Sequence, residues 1–282
     1  MCGARPLWTI GHCETPTRGV TMTASGGLAM ATTIGAHAVR GLDTSRFYFR
    51  MAVVFVIIAF ASFTPTYWAP VMSGTFSAPP IVHVHGALLF SWTLLYLVQA
   101  SLIAAGRTTR HQALGLLGIA LFSVMCCSIV ATRLILLRAE VHAGFGDAAR
   151  RFSAIALCSL PLLMAFFAAA IANVRRPELH RRLMYLLMVG LMIAAIARVF
   201  LVLLKPPGAV GPPPIFVLIP PTLTAALLLV VAIIYERRHY GRVHPLYIYG
   251  GALLVLWELA IVPFSGTALW SAAIRALEAL GG

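Results

Sequence analysis

Two histidines, His83 and His85, open the apolar stretch APPIVHVHGALLFSW at residues 78–92, and three charged side chains, Arg133, Arg198 and Glu258, fall inside other apolar runs. On a helix, positions two apart point about 200° away from each other, so the two histidines cannot share one ion. His85 lies on one face with Trp92, Tyr96 and Gln99, a polar and aromatic stripe that is costly against lipid and should therefore turn into a bundle. His83 shares its face with apolar residues and reads as a headgroup or loop contact. A buried guanidinium seeks a planar anion that it can hold through two parallel bonds. Arg133 and Arg198 thus form candidate anion contacts, with Glu258 as counter-ion and His85 as a proton-linked contact.

A second set lies at the other ends of the same runs: His111, His180, His239 and His244, each beside arginines. Histidines on facing helices can ligate haem axially. Haem b or a quinone between His111, His180 or His244 is therefore the alternative chemistry.

The elements that must position these groups follow from composition. Of 282 residues, 60% are hydrophobic and only 10% charged. A bilayer core needs about 20 consecutive apolar residues per crossing helix. Seven runs satisfy this, at 48–70, 81–105, 113–137, 153–174, 183–204, 214–235 and 246–268. The expected fold is all-α, a polytopic membrane bundle of about seven transmembrane helices over residues 46–282. At roughly 1.5 Å per residue, Arg198 and Glu258 come to one depth, about 10 Å below the outer boundary, with His85 and Arg133 about 6 Å below it. The four are expected to converge there, with an Arg198–Glu258 pair among them.

The net charge of +13 resembles a nucleic-acid signal, but the cations sit in alternate loops. Arg40, Arg46 and Arg50 precede the first run. Arg107 and Arg110, then Arg175, Arg176, Arg181 and Arg182, then Arg237, Arg238 and Arg242 follow the second, fourth and sixth. The positive-inside rule places these loops in the cytoplasm, with the N-terminus inside and the C-terminus outside. Lipid is the expected partner and nucleic acid is not.

Residues 1–45 read as a disordered extension, or as the product of a mis-assigned start ahead of Met22 or Met30. The five cysteines imply no disulfide framework. Retinal is excluded, since it needs a lysine inside the last helix and the only lysine is Lys205, in a loop. Paired membrane carboxylates of a cation pump are also missing. IPPTLT at 219–224 interrupts the sixth run, so Pro220 and Pro221 face inward or that helix begins there.

The HVHG motif at 83–86, the turn RTTRHQALG at 107–115 and the echo ELHRRLM at 178–184 resemble a group of bacterial multi-pass membrane proteins of no established activity. More distantly, the chain is similar to b-type cytochromes of the b561 kind, whose haem histidines lie on facing helices. The first likeness implies a bacterial inner-membrane location; the second implies haem. Gln112 departs from the b561 pattern, where a basic residue often follows the turn histidine, and no second outer histidine stands ready to pair with His85.

Overall fold

A computed structural model describes residues 24–204, 206 and 208–279, with side chains described from Asp43 onward. The chain divides into two compact units, Met1–Thr44 and Ser45–Gly282. In the first, the backbone is helical from Ala24, and the rest of the expected extension lies outside the described residues.

The helices are α1 (Ala24–Phe63), α2 (Ala69–Met72), α3 (Pro80–Ala104), α4 (Thr108–Glu140), α5 (Gly146–Ala172), α6 (Pro177–Leu203), α7 (Ile219–Tyr240), α8 (Pro245–Phe264) and α9 (Ala268–Ala279). A π-helical turn, Thr64–Trp68, joins α1 to α2, and no strand occurs among the described residues. Pro80, Pro177 and Pro245 each open a helix, where the missing N–H costs nothing. Pro220 and Pro221 fall in the first turn of α7, so the sixth crossing begins at this dipeptide and is not broken by it. Gly241, at φ +70, ends α7 in the left-handed conformation that glycine adopts freely.

Six helical segments are long and apolar enough to cross a membrane, and the longest runs over Thr108–Ala172, 65 residues. A straight helix of that length would reach about 100 Å, some three bilayer cores. It is not straight: Gly144 has φ +89 inside the π-helical turn Val141–Phe145. There the chain reverses, and Phe122 of α4 stacks on Phe167 of α5 at 4.0 Å. Counted this way, α1 and α3–α8 form a seven-helix, multi-pass membrane bundle.

The core gathers on α6, whose Tyr185, Leu186, Leu187 and Met188 are fully buried. At Gly190 an added Cβ would lie 2.5 Å from Leu163 of α5 and 3.3 Å from Leu254 of α8. The missing side chain lets three helices close on one point, as small residues do in membrane interiors. The outward surface is apolar, with Leu117, Leu227, Leu256 and many others exposed, which suits lipid as the surrounding solvent.

Candidate functional site

The end of the bundle where α3 begins is built from α3, α4, α6 and the π-helical turn Thr64–Trp68. His85 on α3 meets Ser128 of α4, with Nδ1 3.1 Å from the hydroxyl oxygen. Ser128 gives its own proton to the Met125 carbonyl at 2.7 Å. The hydroxyl has no second proton, so Nδ1 of His85 must be the donor, and Nε2 carries the free lone pair. Arg198 on α6 lies within electrostatic range of His85 and stands 4.9 Å above the Phe63 ring. Its side chain is exposed. Among the described residues, no carboxylate ion-pairs with it.

The π-helical turn packs against α6. It carries two buried donors without partners, the hydroxyl of Thr66 and the indole N–H of Trp68. His83, read from sequence as a headgroup or loop contact, is exposed and bonds Tyr67 at 2.9 Å.

Of the four groups expected to converge, the structure brings His85 and Arg198 together and takes the other two elsewhere. Arg133 is buried on Glu140 of its own helix, seven residues on, with Phe152 5.6 Å from the guanidinium. Glu258 is buried against α5, where Ser159 donates to it at 2.8 Å. The expected Arg198–Glu258 pair is not formed, so Glu258 is not the counter-ion. Equal depth along two helices does not make a contact: Glu258 meets Ser159 and Arg198 meets Phe63. Glu258→Gln keeps the acceptor that Ser159 needs, so its stability in detergent should stay within about 1 kcal/mol of the parent. A loss of about 3–5 kcal/mol on thermal denaturation would instead reveal a cation partner.

The stripe below His85 does face the bundle. Trp92 and Tyr96 are buried: Trp92 packs 5.1 Å from Phe122 and 5.7 Å from Phe167, and Tyr96 lies 5.9 Å from Phe55. Gln99 donates to the His111 carbonyl at 3.2 Å. Fourteen residues of helix separate Gln99 from His85, however, about 21 Å. One small ligand cannot touch both, so the stripe divides between the two ends of the bundle.

At the Gln99 end His111 of α4 and His180 of α6 lie with ring centres 6.2 Å apart and nearly perpendicular. Nδ1 of His180 donates to the Ala170 carbonyl at 2.9 Å. Nδ1 of His111 and the amide oxygen of Gln99 are buried with no partner. His244 stands apart from this pair. It caps α8, its Nδ1 accepting from Leu246 N–H at 3.1 Å. Burial and the neighbouring Arg182 hold its pKa below the ordinary imidazole value, in keeping with an acceptor role.

Sequence reasoning missed a third cluster. Arg182 and Glu236, 4% and 2% exposed, form a buried pair between α6 and α7, Nε to Oε1 2.6 Å. The other oxygen of Glu236 accepts from the His244 N–H at 2.6 Å. Both residues stand next to another arginine, Arg181 and Arg237, and read as loop charges; the one available signal was an acid, Glu236, placed among cations. Tyr48 and Tyr247 share a hydrogen bond of 2.8 Å beside it.

No family model matches the chain, nor does any curated protein or any solved structure.

Proposed function

We propose that this multi-pass membrane protein binds a small anionic or amphipathic ligand at its outer end, in transport or sensing, with Arg198 as the anion contact. The observation that carries the reading is Arg198 itself, an exposed cation on an apolar crossing helix that, among the described residues, no carboxylate ion-pairs. Charge in such a place is costly and persists where it is used. His85 offers Nε2 to a protonated oxygen of the ligand, and Thr66 and Trp68 supply neutral donors on the turn that packs against α6. Purified protein is titrated with carboxylates, phosphate and phosphate esters, beside neutral analogues of each. A saturable gain in thermal stability with one anion class and none with its neutral analogue supports the site; at 100 times Kd the gain is about 2.7 kcal/mol. Stability indifferent to every anion overturns it.

The second reading is redox, favoured by the His111–His180 pair. Each ring keeps a nitrogen outside any protein hydrogen bond, Nδ1 of His111 and Nε2 of His180, so the donor set fits an axial pair. These two residues would hold haem b, which when bound supplies one-electron transfer, or would hold a quinol, whose hydroxyls can donate to Nε2 of His180 and the amide oxygen of Gln99. A reducible Soret band in the purified protein, lost in His111→Ala, supports the haem form. A colourless preparation from haem-replete cells sinks it.

The arginine distribution further supports a bacterial inner membrane with the N-terminus inside. Reporter fusions after residues 110, 180 and 240 should read cytoplasmic, and one at the C-terminus periplasmic. A cytoplasmic C-terminus would refute the seven-crossing topology.

A further inference from the structure

At the arginine-rich end, an open-sided groove of about 380 Å³ lies between α1 and α7, lined by Phe47, Val231, Ile234, Tyr235, Arg238 and His239. The α7 residues recur at helical spacing and so form one face. Phe47 lies flat on Tyr235 at 3.9 Å, and Tyr235 on His239 at 5.2 Å, making one continuous aromatic wall. Val231 and Ile234 are exposed and wholly apolar. Seven residues separate Val231 from Arg238, about 10 Å along the helix. The groove therefore runs from a cationic mouth to a depth that only hydrocarbon reaches.

Its polar end is short of partners. Nε2 of His239 is buried and makes no hydrogen bond. Arg238 is exposed, and among the described residues no carboxylate pairs with it. The one acid of α7, Glu236, is taken by Arg182 and the His244 N–H. Arg237 donates to the Gly241 carbonyl instead. We propose that this groove binds one anionic phospholipid, its phosphate between Arg238 and His239 and an acyl chain along Ile234 and Val231. A zwitterionic lipid would bring its ammonium group against Arg237, Arg238 and Arg242, which disfavours it. The assignment is independent of the outer anion site.

The test uses the full chain in neutral detergent, with phosphatidylglycerol and phosphatidylcholine of identical acyl chains, followed by native mass spectrometry and thermal denaturation. Phosphatidylglycerol should bind more tightly, by roughly fivefold for each cation engaged. Arg238→Gln with His239→Gln should remove that preference, while Arg107→Gln, at another basic turn, should keep it. Ile234→Trp, which fills the trough, should weaken binding of the lipid without changing stability in its absence. Three results would overturn the proposal: equal binding of the two lipids, equal loss in Arg107→Gln, or full stabilisation by inorganic phosphate alone.

Discussion

Arg182→Met should be among the most destabilising single changes in this protein, costing about 3–5 kcal/mol, because it strands the Glu236 carboxylate in a buried site. Glu236 is 2% exposed, and its remaining partner would be one backbone N–H, that of His244. The reverse change is milder. In Glu236→Gln, the guanidinium still holds the Glu178 carbonyl and carboxylate, each at 2.6 Å, so the loss should fall at or below the lower end of that range. The double change Arg182→Met with Glu236→Met should recover most of the larger loss, since apolar side chains of similar volume often replace a buried pair without penalty. Some deficit should remain. Glu236 also ties α7 to the first turn of α8 through His244, and no methionine can accept that bond. Thermal denaturation of the four proteins in one detergent gives the cycle. Singles that each cost under about 1 kcal/mol would mean the pair is solvated.

That cluster shows where the sequence was legible and where it was not. Hydropathy places the crossing helices, since each must carry enough apolar surface to replace water by lipid, and proline marks where several of them start. The reversal between the third and fourth runs was legible too, because residues 113–137 and 153–174 are each long enough for one crossing, though Gly144 as its pivot was not. Pairing was less so. Arg133 found Glu140 two turns along its own helix, which runs on past the expected boundary at 137. Rise per residue speaks only to depth along a helix, and contact also needs rotation about each axis. Packing sets that rotation. The close approach at Gly190, with Leu163 and Leu254, fixes how α5, α6 and α8 face one another. Glu258 is then turned toward Ser159, while Arg198 is turned toward Phe63. The stripe from His85 to Gln99 was read correctly as inward-facing, yet a stripe as long as the membrane is thick serves two ends.

Arg198→Leu separates function from stability in the opposite sense to Arg182→Met. A membrane cation without an acid costs up to about 3 kcal/mol at mid-bilayer and less toward the surface, so its removal should raise stability by about 1–2 kcal/mol. Its one described contact, the Phe63 ring at 4.9 Å, returns at most about 2 kcal/mol when desolvated, and a leucine keeps part of that through packing. The same variant should lose the anion-dependent stabilisation altogether. Arg198→Lys should keep the charge but not the planar fork, and should bind about tenfold more weakly, with saturation still reachable. His85→Gln is the companion: the amide N–H can still reach Ser128, whereas the Nε2 lone pair is gone, so binding should weaken while stability holds. A side chain whose removal stabilises the fold and abolishes a ligand response is retained for the ligand. If Arg198→Leu instead lowers stability by about 2 kcal/mol or more, its contact with Phe63 is a structural bond, and the outer end holds no anion site.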